Sequence, residues 1–167
     1  MIVLQDKLIN AMKEAFGNDE KRKNHAQLVL KHALDISLKE GGDLVIIVAA
    51  ALLHDIGILE AERKYGLSTG KYQEIEGPPL AKRIMENIGL ESSTIEHVCR
   101  IIGNHYSGKN IDSLEFRILW DADWLVNFPD EYAFLEKNKL RNTIDKIFRT
   151  RTGKMKAYQM FLNHEVD

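Results

Sequence analysis

Apolar residues recur along most of the chain at the three- and four-residue spacing of an α-helix. Leu4, Leu8 and Met12 fall on one helical face, and Gly17 then ends that helix. A second helix is predicted from about residue 20 to residue 39, where a Gly-Gly pair closes it. Because no convincing alternating strand pattern appears, we predict an all-α fold.

The central segment is the most apolar part of the chain. Leu44 to Leu53 are apolar on every side, and Asp43 precedes them as a helix cap. Periodicity alone is also compatible with a buried strand. The length of the run, its three consecutive alanines and its helical neighbours favour a central buried helix over about residues 44–56. Gly57 is expected to end it in the left-handed conformation.

Glycines, prolines and charges divide the second half of the chain. Residues 58–77 are charged and contain several glycines, which indicates a loop or irregular helix over one face. The Pro-Pro pair at 78–79 is expected to open the next helix. A later helix carries Asp121 and Asp123, and Pro129 ends or kinks it. We find no linker or repeat, so the sequence predicts one domain.

Composition and charge exclude several classes of protein. The 167 residues are 44% hydrophobic and 29% charged, with a net charge of −2, which gives no general attraction to nucleic acid or anionic membranes. The single cysteine, Cys99, excludes an intramolecular disulfide framework. The longest apolar run is too short to span a bilayer, and no signal peptide is evident. We expect a cytoplasmic protein without nucleic-acid or membrane partners, with a homodimer as the default assembly.

Four residues on three predicted helices form a candidate metal site. His54 and Asp55 are adjacent near the end of the central helix, where both can reach one ion. His25 lies on the core-facing side of the second helix. Asp123 stands among large apolar residues, where a carboxylate is costly unless it is paired or bound to a cation. Two imidazoles and two carboxylates suit Mn, Fe, Co, Ni or Zn, while Mg is tolerated less well.

Three ordered segments resemble the HD-domain phosphohydrolase superfamily. They are His25 with Val29 and Ala33, Leu52-Leu53-His54-Asp55-Ile56-Gly57, and Asp121-Ala122-Asp123-Trp124-Leu125. The resemblance implies a compact single-domain bundle over residues 1–167 around the central helix. It places a metal-binding core at about 19–128, with the C-terminal helices of 129–167 packed on that core.

By position, the resemblance also implies a set of metal ligands. They are His25, His54, Asp55 and Asp123. Asp121 is the alternative to Asp123 as the last ligand, and the Ala-Asp-x-Leu context favours Asp123. Segment 114–123 further resembles small stand-alone members, some of which hydrolyse nucleotides.

The chain departs from the pattern of binuclear members. Those members usually add a histidine a few residues before a Gly-Ala pair, whereas residues 72–78 here contain none. They often carry two consecutive histidines where this chain has only His105 before Tyr106. We therefore predict one divalent ion. The acidic residue that nucleotidase members use soon after the His-Asp pair is also not recognisable, and Glu60 and Glu62 are the nearest.

The resemblance implies hydrolysis of a phosphoester or phosphoanhydride, in a nucleotide or similar small phosphorylated metabolite. His54 and Asp55 are the expected catalytic residues, because the metal activates a water and Asp55 orients it. The expected substrate contacts are Arg22, His105, Lys64 and Lys71. Arg22, Lys64 and Lys71 could instead be solvated surface charges. His105 could instead cap its helix. Two other functions stay open, namely a non-catalytic metal- or ligand-binding protein and a helical iron oxygenase.

Overall fold

The computed structural model describes residues 1–163, and every structural statement below concerns that range. Residues 164–167 of the predicted domain lie outside the described residues, including His164, which we expected at the surface. Between residues 1 and 163 the chain forms nine α-helices and no β-strand, which confirms the all-α prediction. The helices are α1 (Ile2–Phe16), α2 (Glu20–Glu40), α3 (Leu44–Leu53), α4 (Ile58–Tyr65), α5 (Gly70–Ile88), α6 (Ser92–Ile102), α7 (Leu114–Tyr132), α8 (Lys137–Ile147) and α9 (Arg151–Phe161).

Helix α3 is the central element of the fold. Its residues from Ile47 to Leu53 are completely buried, and it packs against α1, α2, α6 and α7. The Asp43 carboxylate accepts hydrogen bonds from the backbone N–H groups of Val45 (2.9 Å) and Ile46 (3.3 Å), which caps the helix as expected. A helix surrounded by other helices can be apolar on all sides, and this explains the pattern of the segment.

The segment 44–65 is long and apolar enough, by length and composition alone, to cross a membrane. Within the fold, however, 72% of its most apolar window is buried by other helices. The segment is also divided, since α3 ends at Leu53 and α4 begins at Ile58. The segment is therefore largely a buried part of the core of this fold.

The turn after α3 differs from the prediction. The helix ends at Leu53, so that His54 and Asp55 lie in the turn that follows it rather than within the helix. Gly57 has a φ of −78°, and the expected left-handed conformation is wrong. The glycine is needed for space, because a Cβ at Gly57 would lie 2.6 Å from the backbone nitrogen of Gly77 in α5. The missing side chain lets the backbone of α5 cross the turn that carries the His-Asp pair.

The prediction of a loop or irregular helix over residues 58–77 is wrong. This segment contains α4 and the first part of α5, and the Pro-Pro pair at 78–79 lies inside α5. The two prolines lack N–H groups and so remove two helical hydrogen bonds. Contacts with neighbouring helices offset this loss. In particular, the buried Glu76 of α5 accepts hydrogen bonds from Lys64 Nζ (2.9 Å) and Tyr65 Oη (2.8 Å) of α4.

Helix α7 lies beside α2 and connects the core to the C-terminal helices. Its first turn contacts the start of α3, since Glu115 Oε1 accepts a hydrogen bond from the Asp43 N–H at 2.9 Å. Pro129 lies inside α7, which continues to Tyr132. Helices α8 and α9 pack against α7, and Trp120 Nε1 donates to the carbonyl of Ile147 at the end of α8, at 3.0 Å.

Candidate metal centre

The structure brings the four predicted metal ligands together from three elements. His25 comes from α2, His54 and Asp55 from the turn after α3, and Asp123 from α7. His25 Nε2 lies 3.0 Å from Asp123 Oδ1 and 3.4 Å from Asp55 Oδ2. One ligand atom from each of His25, His54 and Asp55 lies within 4.8 Å of the other two. The spacing allows one small cation to contact His25, His54 and Asp55, and Asp123 Oδ1 lies beside both imidazole nitrogens.

His54 supplies the clearest sign of a cation-binding site. Its side chain is fully buried, and its Nδ1 lies 2.8 Å from the carbonyl oxygen of Ala51. A carbonyl only accepts, so Nδ1 carries a hydrogen and Nε2 is the ring atom that can bind either a second proton or a metal ion. Among residues 1–163, no group makes a hydrogen bond to this Nε2. It instead faces Asp55 Oδ2 at 3.3 Å and Asp123 Oδ1 at 3.4 Å.

This arrangement fits a divalent metal ion. A buried nitrogen lone pair directed at two carboxylate oxygens has no favourable partner unless a proton or a metal lies between them. Burial lowers the pKa of His54, but the charges of Asp55 and Asp123 outweigh it and raise the pKa well above the usual value. The same negative charge attracts a metal cation to this position, since metals and protons compete for such ligands.

The carboxyl groups of Asp55 and Asp123 are held in their ionised form. Burial raises the pKa of each, but the positive charge of His54 and hydrogen bonds from neighbouring histidines outweigh burial. As a result, the pKa of each group lies well below its usual range. Ionised carboxylates are the form that binds a metal.

Asp121 occupies a different environment from Asp123. Its carboxylate accepts hydrogen bonds from the Arg149 N–H (2.8 Å), the Thr150 N–H (2.7 Å) and the Thr150 hydroxyl (2.6 Å). Burial raises the pKa of Asp121 to about 6. A Cβ at Gly153 would overlap this carboxylate, at 2.2 Å from Oδ2. Asp121 thus fixes the start of α9, and of the two aspartates the structure places Asp123 in the cluster.

His105 and Gln73 extend the cluster on the other side of Asp55. His105 Nδ1 lies 2.6 Å from the carbonyl of Ile102, which fixes the ring. Its Nε2 lies 3.4 Å from Asp55 Oδ1 and 3.2 Å from Gln73 Oε1. Asp55 therefore directs one oxygen toward His25 and His54 and the other toward His105. Gln73 lies in residues 72–78, where binuclear members usually carry a histidine. A glutamine at this position did not indicate a metal site.

An open groove of about 1170 Å³ leads to the cluster. This exceeds the range of about 300–1,000 Å³ that is usual for small-molecule sites, so size does not exclude a metabolite. Of the predicted substrate contacts, Arg22 and His105 line the groove, whereas Lys64 and Lys71 do not. Lys64 pairs with Glu76 at 2.9 Å, and Lys71 is exposed at the start of α5. Arg22 pairs with Asp19 and, at 3.0 Å, with Glu62.

Several groove residues were not identified from the sequence. They are Lys21, Gln73, Lys109, Trp124 and Asn127. Asn127 Nδ2 donates to Asp123 Oδ1 at 3.0 Å and so orients that ligand. A signal for Asn127 was present, because residues four apart on a helix are neighbours. The two lysines carried no distinguishing pattern, since only the fold places them beside the groove.

The chain matches one protein family over more than half of its length. The HD domain family model matches residues 22–127 of the chain, a segment that contains all four clustered ligands. No curated protein sequence matches the chain significantly.

Two solved structures share the fold. One is a predicted HD superfamily hydrolase from an uncultured Thermotogales bacterium, which is 26% identical and has a TM-score of 0.68, with 92% of this chain and 83% of that chain covered. The other is an HD-superfamily hydrolase from Bacillus thuringiensis, which is 22% identical and has a TM-score of 0.65, with 96% and 90% covered. The second likeness concerns the fold alone.

Proposed function

This chain belongs to the HD-domain family, and from that premise we propose that it is a divalent-metal-dependent phosphohydrolase. Family membership and the hydrolase relatives support a metal-dependent hydrolase in general. The phosphorylated substrate, a nucleotide or a similar small metabolite, is our own proposal. The observation that carries the metal dependence is the buried Nε2 of His54, which is unpartnered within residues 1–163 and faces two ionised carboxylates. The cations that line the groove, Arg22, Lys21 and Lys109, support a phosphorylated substrate.

The residues that would hold the metal are His25, His54, Asp55 and Asp123. Their two imidazole nitrogens and two carboxylates suit one ion of Mn, Fe, Co, Ni or Zn better than Mg. When bound, such an ion supplies Lewis acidity, which lowers the pKa of a water and neutralises charge on a phosphoryl oxygen. One cation is the simpler fit, because the group beside His105 at the second Asp55 oxygen is the amide of Gln73.

The chain's own residues then position the water and contact the substrate. Asp55 Oδ1 points away from His25 and His54, and can accept a hydrogen bond from the attacking water and so orient it. His105 Nε2 faces the same oxygen from the groove wall, at 3.4 Å. We assign His105 the role of substrate contact, because its Nε2 faces the groove beside the metal centre.

Cations at the rim of the groove would hold the remaining charge of the substrate. Arg22 lies three residues before His25, and substrate phosphate would compete with Glu62 for its guanidinium group. Lys21 and Lys109 are exposed and line the groove, and we add them to the proposed contacts. Lys64 and Lys71 lie outside the groove lining, so a substrate role for them stays a prediction.

The proposed activity is tested with a panel of nucleotides and simple phosphate esters, each assayed with Mn²⁺, Co²⁺, Ni²⁺ and Mg²⁺. We expect turnover by the wild-type protein and a loss of at least about 100-fold in Asp55→Asn, since this change removes a charged ligand. Asp130→Asn changes an exposed carboxylate at the far end of the same groove and serves as the matched control. Equal turnover by wild type and Asp55→Asn, or no turnover by either, would refute the proposal.

The alternative functions predict different results. A non-catalytic metal protein would bind the ion and hydrolyse nothing in the panel. An iron oxygenase would consume oxygen when loaded with Fe²⁺. Small phosphorylated partners, a cytoplasmic location and a homodimer stay predictions.

A further inference from the structure

One face of α7 carries both a metal ligand and an aromatic surface. Trp120, Asp123, Trp124 and Asn127 follow the three- and four-residue spacing of one helical face, and all four line the groove. Trp124 lines the same groove as the ligands His25, Asp55 and Asp123, so its ring lies within reach of a small molecule bound at the metal centre. The two tryptophans differ in what they contact.

Trp120 is held by other parts of the fold. Its Nε1 donates to the Ile147 carbonyl at 3.0 Å. The guanidinium carbon of Arg149 lies 4.1 Å from the ring centroid, and a Cβ at Gly108 would lie 2.7 Å from the ring. With its N–H bonded and its ring covered, Trp120 fastens the loop after α6 to the C-terminal helices.

Trp124 has none of these contacts. Its ring is half-buried, and Tyr132 supports it at a centroid distance of 5.8 Å and an interplanar angle of 28°. No residue of the described chain makes a hydrogen bond with its indole N–H. An indole nitrogen that is enclosed by a protein usually has a partner. The ring therefore offers the groove an apolar surface and a free donor, and Tyr132, which also lines the groove, packs against it.

Leu28 adds an apolar group from the other side of the groove. It lies on α2 one turn after His25, lines the groove and is 49% exposed. The groove therefore has a charged part, which is the metal cluster, and beside it an apolar wall formed by Trp124 and Leu28. A ligand that suits both parts carries a phosphate at one end and a flat ring at the other. A sugar phosphate without an aromatic base would make no contact with this apolar wall.

We infer that Trp124 is a specificity-determining residue that stacks on the base of a nucleoside monophosphate whose phosphate lies at the metal centre. This inference rests on the proposed function, and it narrows the substrate class to nucleotides. Stacking on an aromatic side chain tolerates any base, because every base has a π-face. We therefore expect the protein to prefer nucleotides over sugar phosphates that lack a base, and to discriminate only weakly among the four nucleobases.

The kinetic test compares a nucleoside 5′-monophosphate with ribose 5-phosphate, using wild type, Trp124→Leu and Trp124→Phe. For Trp124→Leu we expect the KM of the nucleotide to rise about 5- to 100-fold, from the energy of one base–aromatic stack, with little change in kcat. Ribose 5-phosphate should show no change in KM. Trp124→Phe keeps an aromatic ring and should retain most of the affinity. Phe134→Leu removes an exposed aromatic outside the groove lining and is the control.

A binding measurement separates this inference from the proposed activity. Adenosine has no phosphate, and it should quench the tryptophan fluorescence of wild type and Phe134→Leu, with a much smaller effect in Trp124→Phe. If phosphate esters are hydrolysed but Trp124→Leu leaves the KM of the nucleotide unchanged, the inference is wrong and the phosphohydrolase stands. If nothing is hydrolysed but adenosine still quenches through Trp124, the base-stacking role is supported and the proposed activity fails. If adenosine does not quench the wild-type fluorescence, or quenches Trp124→Phe as strongly as wild type, the inference is wrong.

Discussion

Asp123 illustrates how one carboxylate is fixed in place by its neighbours. Its Oδ1 receives a hydrogen bond from Asn127 and lies 3.0 Å from His25 Nε2. Asn127 does not itself reach the histidines, so we regard it as a positioning residue that acts through Asp123. Partners of this kind set the orientation of metal ligands, and their loss typically lowers metal affinity about 10- to 100-fold.

Asn127→Ala should therefore weaken Mn²⁺ binding about 10- to 100-fold without unfolding the protein. The measurement is calorimetric titration with Mn²⁺, with circular dichroism to confirm the helical content. Asn24→Ala removes the same kind of side chain from a groove residue of α2 that makes no hydrogen bond to a metal ligand, and it should leave the affinity unchanged. If both variants bind as wild type does, Asn127 does not position the ligand.

At the level of elements, the His-Asp pair depends on the contact between its turn and α5. The backbones meet at Gly57 and Gly77, and both glycines are buried. This close approach also brings Gln73, one turn earlier on α5, beside His105. The path of α5 is thus set by the absence of side chains at two positions.

Gly57→Ala should lower the free energy of unfolding by about 3 kcal/mol, because its new methyl group would lie 2.6 Å from the backbone of Gly77 and cannot be accommodated by a side-chain movement. Gly66→Ala is the matched control, since Gly66 has a φ of +69° and no atom within 4 Å of the added Cβ. Its cost should be about 1 kcal/mol, from the backbone conformation alone. Urea denaturation measures both changes. Equal losses in the two variants would contradict the close contact.

For the whole molecule, the ligands come from three separated parts of the sequence, so a metal bound at the centre connects α2, the turn after α3 and α7. A ligand that binds only the folded state stabilises it by about 2.7 kcal/mol at 100 times its Kd. We expect a saturating divalent ion to raise the Tm of wild type by about 5–10 °C in a domain of this size.

The same addition should raise the Tm of Asp123→Ala by much less, because one of the four ligands is missing. Thermal denaturation followed by circular dichroism, with and without the ion and after treatment with a chelator, measures the difference. An equal increase in wild type and Asp123→Ala would show that the ion binds elsewhere.

Much of the fold follows from local patterns that the sequence carries. The cap at Asp43, the apolar run of α3 and the helical spacing around His25 were sufficient for an all-α prediction. The prediction failed over residues 58–77, where charges and a proline pair suggested irregular structure. The helices there are stabilised by contacts with each other, such as those of Glu76 with α4, and these contacts have no local sequence signal.

The sequence by itself determined the fold class, the family resemblance and three of the four clustered residues, His25, His54 and Asp55, because each depends on residue types in a short motif. Only the tertiary structure decided between Asp121 and Asp123, since the two carboxylates differ in the donors that distant residues 149 and 150 bring to one of them. It also decided which cations line the groove and which tryptophan is free. Such distinctions depend on contacts between segments far apart in the chain, and the spacing of residues along one segment does not encode them.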